Sequence, residues 1–178
     1  MINQRDWDFG PTWGSNPNAL QQNLRGATLV MARFTMQSVF PAPIEQLWKV
    51  LKLHAEDDQI GRIHPNWVLS QRQVSMEGNR WVLERKLRLL GKNYTTTMAV
   101  EMASPEMFRW EIVAADGLLV PGSYVENRYT EAGEGTKLTT TVQMTLKGVP
   151  GFLQSWMLKR FLSQGDDEDL KYLRKMQA

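Results

Sequence analysis

At 178 residues, with 42% hydrophobic and 22% charged side chains, the chain is sized for one substantial domain of ordinary globular composition. A formal charge of only +2 excludes the basic footprint of a nucleic-acid binder, and the lack of cysteine excludes disulfides, thiol catalysis and thiolate zinc sites. No apolar run approaches the roughly 18 residues of a membrane span, and no basic region with an apolar core opens the chain, so a cytoplasmic protein is expected.

Residues 1–27 differ from the rest. Asp6 to Asn18 mix turn formers with isolated aromatics and hold no sustained period. The segment reads either as a loosely ordered extension or as a strap whose Trp7 and Trp13 dock on the domain or on a partner, and Met31 is an alternative start. The domain itself is expected over residues 28–178.

From Leu29 to Phe40 alternation predicts a strand, with Ala32, Phe34, Met36 and Phe40 on one face. Pro41-Ala42-Pro43 ends it, because proline cannot donate to a ladder. Pro43 suits the first turn of a helix, and Ile44, Leu47, Trp48 and Leu51 follow at helical spacing to about His54. A short helix or turn covers Glu56 to Ile63, limited by Pro65. Six strands are then predicted: Trp67–Met76, Arg80–Leu90, Tyr94–Met102, Met107–Ala114, Leu119–Tyr129 and Lys137–Leu146. Their connections, such as Glu77-Gly78-Asn79 and Gly133-Glu134-Gly135, are hairpin turns too short for crossover helices, so neighbours pair antiparallel. After Gly148, Pro150 opens a helix reaching about Arg174. Its first half is apolar almost all round and is expected to be covered on more than one side. Asp166-Asp167-Glu168-Asp169 reads as a solvated segment of that helix, with Gly165 a possible bend.

Side chains two apart share a strand face, so the inner lining can be nominated. Trp81, Leu83, Arg85, Leu87 and Leu89 fall together, then Tyr94, Thr96, Met98, Val100 and Met102, then Phe108, Trp110 and Ile112. Leu138, Thr140, Val142 and Met144 share a face of the last strand, opposite Phe152, Leu153, Trp156 and Met157 of the helix. Adaptable methionines among the aromatics suit a site that moulds to an apolar ligand, although the same residues also fill ordinary cores. Arg85 sits inward among leucines, where an unpaired charge is costly. It calls for an internal acid such as Glu111 or Glu126, an escape to the rim, or a ligand carboxylate or phosphate. Pro121-Gly122 leaves the phase of the next strand open between Val125, Asn127 and Tyr129, and Tyr124, Glu126 and Arg128. The first set is preferred, since Asn127 and Tyr129 can orient a ligand by hydrogen bonds. His64 falls at the junction of short helix and sheet, either a general acid or base or a surface histidine bonded to backbone. His54 suits the dipole at a helix end.

The order strand, two helices, six antiparallel strands and long helix resembles the START-like superfamily, also called the polyketide cyclase/dehydratase and lipid-transport or SRPBCC group. Three segments carry the likeness over about Met31 to Met176. Phe40-Pro41-Ala42-Pro43-Ile44-Glu45-Gln46-Leu47-Trp48 is similar to its strand-to-helix junction, Gly133-Glu134-Gly135-Thr136-Lys137-Leu138-Thr139 to its turn before the last strand, and the apolar helix after Gly148 to its gripping helix. The resemblance implies an α+β helix-grip fold, a seven-stranded curved antiparallel sheet wrapped around a long C-terminal helix. It also implies a cavity between sheet and helix that holds a sterol, phospholipid, polyketide, quinone or hormone.

Three functions stay open on that basis. The first is binding or carriage of a small hydrophobic molecule, lipid-, polyketide- or quinone-like. The second is a cyclase/dehydratase-type enzyme on the same cavity, with Arg85, Asn127, Tyr129 and His64 as candidates. The third is a protein- or membrane-interaction module using the extension, with Lys159 and Arg160 beside Trp156 and Phe161; for that aromatic face, packing against the sheet is preferred. The candidate ligand-binding set is Trp81, Arg85, Thr96, Met98, Trp110, Asn127, Tyr129, Phe152, Trp156 and His64. No nucleophile elbow, phosphate loop or dinucleotide fingerprint is present, and two histidines ten apart without cysteine make a poor metal site, so no cofactor or metal is expected.

Overall fold

A computed structural model describes residues 30–57, 59–103 and 105–177, so the expected extension over 1–27 lies outside the described residues. Ten elements follow in chain order: β1 (Ala32–Phe40), α1 (Ile44–Leu53), α2 (Ile60–Ile63), β2 (Val68–Glu77), β3 (Arg80–Leu89), β4 (Lys92–Ala103), β5 (Met107–Ala115), β6 (Tyr124–Ala132), β7 (Gly135–Met144) and α3 (Gly151–Gln177). They form the α+β architecture expected: one curved seven-stranded sheet in the order β1-β7-β6-β5-β4-β3-β2, antiparallel at every step, with α3 as the C-terminal helix. Each hairpin keeps sequence neighbours adjacent, and β1 closes onto β7 through Phe40↔Thr136 and Ala32↔Met144.

Pro43 ends β1 and caps α1, its carbonyl accepting from the amides of Gln46 and Leu47. The helical stripe Ile44, Leu47, Trp48 and Leu51 is buried as its spacing requires. It packs on Phe40, Leu83, Val100, Phe108, Tyr129 and Leu138 and closes one end of the sheet. Two of the recognisable segments meet here, since Thr136 Oγ1 donates to the Ala42 carbonyl at 2.7 Å. Gly135 makes that approach possible: a Cβ there would sit 2.5 Å from the Phe40 carbonyl oxygen.

Two expectations are corrected. The strand predicted from Leu119 begins only at Tyr124, because Pro121 and Gly122 (φ 81°) form a turn whose Gly122 amide bonds the Ile112 carbonyl. Leu119 keeps a lone bridge to Leu146. The first half of α3 is not covered on more than one side: Phe152 is 82% exposed and Trp156 61%, and the buried positions of the helix are Gln154, Leu158, Glu168, Asp169 and Leu173. The helix crosses Gly165 without interruption. Among the described residues no helix is long and apolar enough to cross a membrane.

Gly135→Ala is expected to lower stability by about 1–3 kcal/mol, because backbone rather than a flexible side chain must give way. The denaturant midpoint at unchanged slope measures it.

Candidate functional site

Between the concave face of the sheet and α3 lies a cavity of about 550 Å³. Its walls are mostly apolar, with Leu87, Met98, Val100, Ile112, Leu138 and Met144 supplied by alternate positions of β3, β4, β5 and β7. One end is polar, where Asn127, Tyr129, His54, His64, Asp166 and Asp169 meet.

Arg85 is 5% exposed and reaches neither Glu111 nor Glu126; those two acids lie beside Arg109 instead, at 3.4 and 3.7 Å. Its partners are neutral. Nε donates to Gln71 Oε1 at 2.8 Å, and Nη2 donates to the same oxygen and, at 3.2 Å, to the carbonyl of His54. Gln71 stands opposite Arg85 in the β2–β3 register, and His54 caps the C-terminus of α1. The guanidinium thus meets a helix-end carbonyl that has no intrahelical donor, at the negative end of the helix dipole. Burial pushes its pKa down to about 10, which leaves it charged at neutral pH.

α3 supplies the acids. Glu168 accepts from Asn66 Nδ2 and Gln164 Nε2 on one oxygen, and on the other from Trp67 Nε1 and, at 2.9 Å, His64 Nδ1. Burial alone would raise its pKa, but the bonds from Gln164, Asn66 and His64 bring it below the ordinary glutamate value. Being ionised, Glu168 can only accept, so His64 Nδ1 carries the ring proton and donates to it. His64 is 2% exposed, and burial, then His54, lowers its pKa to about 4, which keeps the imidazole neutral. Asp169 Oδ1 lies 2.9 Å from His54 Nε2 and 3.4 Å from His64 Nε2. Burial first, then Asp169 and Asp167, raises Asp166 to about 7 against a hydrogen bond from Ser38 Oγ at 3.2 Å. Tyr129 is held neutral by burial, then by Asp169 and Asp166, and hydrogen-bonds Asn127, whose Oδ1 accepts from Thr140 Oγ1.

Of the residues expected to line a hollow, Arg85, Met98, Trp110, Asn127, Tyr129, Trp156 and His64 border this one. Three do not. Thr96 is buried and donates to the Arg85 carbonyl, Trp81 packs on the cluster beneath α1, and Phe152 points outward. The preferred phase of β6 holds, with Val125 and Tyr129 buried. His64 is neither at a surface nor bonded to backbone through its ring. The acidic run is not a solvated segment, since Glu168 and Asp169 are each 7% exposed. Sequence reasoning missed Asp166, Asp169, His54 and Gln71. For the two aspartates the signal was helical phase: Leu158, Leu162, Asp166, Asp169 and Leu173 recur at steps of three and four.

The family described as polyketide cyclase/dehydrase and lipid transport matches residues 31–175, and the chain belongs to it. No curated protein sequence matches significantly. Solved structures share the fold at low identity. A START superfamily protein from Mycobacterium smegmatis aligns with a TM-score of 0.69 at 11% identity, over 82% of this chain and 98% of that one. Ara h 8.0201 gives 0.66 at 17%, over 82% and 99%. The Zhui aromatase/cyclase from a Streptomyces strain gives 0.61 at 16%, over 80% and 91%.

Asp166 makes stability fall with rising pH. Its folded-state pKa is raised from 3.8 to about 7, so between those values the folded chain holds a proton that the unfolded chain has released. Asp166→Asn is therefore expected to raise the melting temperature at pH 8 by more than at pH 5, in parallel melts of both proteins.

Proposed function

We propose that this member of the polyketide cyclase/dehydrase and lipid transport family binds a small, largely apolar molecule in the cavity between sheet and α3, and carries it. The observation that supports this best is the cavity's make-up: about 550 Å³ of mostly hydrocarbon-walled space with polar groups gathered at one end. Ligand pockets generally have this size and proportion. The arrangement favours a neutral ligand with a hydroxyl or carbonyl at one end, lipid-, polyketide- or quinone-like. Arg85 Nε and Nη2 are already engaged, and Asp166 and Asp169 disfavour a carboxylate or phosphate. Asn127 and Tyr129 are the proposed orienting groups, with Met98, Trp110 and Trp156 against the apolar part. Carriage is supported by the exposed Phe152 and Trp156, which share the first half of α3 with the exposed Lys159 and Arg160 and suit contact with a membrane surface.

A second reading has one specific support. A carboxyl with a pKa near 7 at the cavity wall, Asp166, close enough to Tyr129 to act on its ionisation, is the kind of group that moves protons in a cyclase or dehydratase.

Gently purified protein is expected to retain an apolar molecule in native mass spectrometry. At about a hundred times its Kd, a matching neutral ligand stabilises by about 2.7 kcal/mol, raising the melting temperature by about 5 to 10 °C. Tyr129→Phe should weaken that ligand about fivefold to tenfold through the loss of one hydrogen bond. A lipid, polyketide and quinone panel that leaves the melting temperature unmoved, with no retained ligand, rejects the binding reading. Turnover of a panel member that is abolished in Asp166→Asn would decide for the enzyme.

A further inference from the structure

The polar end of the cavity holds an arrangement that ligand binding alone does not use. His54 comes from the end of α1, His64 from the end of α2 and Asp169 from the middle of α3. The two imidazole nitrogens and a carboxylate oxygen all lie within 4.8 Å of one another, in buried residues. We propose that His54 Nε2, His64 Nε2 and Asp169 Oδ1 form a binding site for one divalent first-row transition-metal ion, open toward the cavity.

Geometry is the first support. Metal–nitrogen and metal–oxygen bonds of about 2.1 Å set ligand atoms about 3.0 Å apart at right angles and about 3.4 Å apart at tetrahedral angles. Asp169 Oδ1 is already 2.9 Å from His54 Nε2 and 3.4 Å from His64 Nε2. The edge between the two histidines lies within the same 4.8 Å limit.

The surroundings of His64 are the second. Glu168 takes four donors, His64 Nδ1 among its partners, and the other ring nitrogen of His64 faces Asp169 Oδ1 at 3.4 Å. A histidine whose remote nitrogen donates to a carboxylate is also the usual support of a metal-ligating imidazole, fixing its tautomer and orientation. Glu168 is then a positioning residue.

The donor set narrows the ion. Two imidazoles and one carboxylate suit zinc, iron, cobalt or nickel, and suit magnesium or calcium poorly. Three protein ligands leave further positions free, and all three residues border the cavity, so a bound molecule's oxygen would be within reach of the ion. The site stands apart from the carrier reading: an apolar ligand can bind without the ion, and the ion without the ligand.

The test is titration of Co2+ into chelator-treated full-length chain, followed by calorimetry and by visible d–d absorption, with Zn2+ as competitor. One equivalent should bind, with visible bands that Zn2+ abolishes. Asp169→Asn and His64→Gln should each weaken binding at least tenfold, and Glu168→Gln about tenfold to hundredfold. Because the chain has only two histidines, the wild-type protein gives an answer even if these variants fail to fold: paramagnetic Co2+ should displace the ring-proton NMR signals of both. No stoichiometric uptake, uptake that leaves either histidine signal unmoved, or equal affinity in folded variants overturns the site.

Discussion

The structure depends on how α3 is held over a space that side chains do not fill. A helix on a solid sheet is fixed by the apolar area it buries, at roughly 25 cal/mol per Å². Here the sheet's concave face is hollow, and among the buried positions of α3 only Leu158 and Leu173 are apolar. Polar fasteners near the two ends supply what the hollow withholds. At the start of the helix Gln154 clamps the amide and carbonyl of Leu146 and the carbonyl of Val149. Toward the other end Glu168 and Asp169 seize His64, Asn66, Trp67 and His54. The cavity between them is open because neither fastener needs apolar filling.

Arg85 extends the same logic to α1. A buried guanidinium with neutral partners looks uneconomical, since no described acid lies within ion-pair distance of it. Its carbonyl partner, however, is the unsatisfied end of a helix, where cations are favoured, and its amide partner is fixed by strand register. Gln71 also donates to that His54 carbonyl and to that of Glu56, so the turn after α1 is tied at several points to β2 and β3. The consequence is positional: with its backbone pinned by Arg85 and Gln71, His54 presents its ring to Asp169.

What could be read from the chain was whatever period and turn chemistry determine. Alternation put Arg85, Met98, Asn127 and Tyr129 on the inner face, because a strand side chain's direction follows from its neighbours alone. Pro43 and the Ile44-Leu47-Trp48-Leu51 stripe defined α1 for the same reason. Partners were not legible. His54 and Asp169 are 115 residues apart in sequence, and His64 and Glu168 are 104. Glu111 and Glu126 look available to Arg85 on a list of charges, yet both side chains lie beside Arg109. The acidic run misled because charge density suggests solvent, whereas the phase of Asp166 and Asp169 with Leu158, Leu162 and Leu173 points inward. Phe152 and Trp156 misled in the opposite sense: apolar character suggested a covered face, but both side chains stand exposed.

These two reversals have a common cause, and it bears on what the cavity selects. Along one helix the usual globular arrangement is inverted, with Phe152 and Trp156 exposed and Glu168 and Asp169 buried. At the polar end Glu168 takes four donors, Asp169 lies beside two histidines, and Asp166 accepts from the Ser38 hydroxyl and has a raised pKa. Arg85 does not turn freely toward these groups, because doing so would take the donor from the Gln71 side-chain oxygen. An anionic ligand would therefore raise the local field further, whereas a hydroxyl or a cation lowers it. A carboxylate or phosphate placed there would sit beside Asp166 and Asp169, whereas a neutral polar group meets them at a lower desolvation cost.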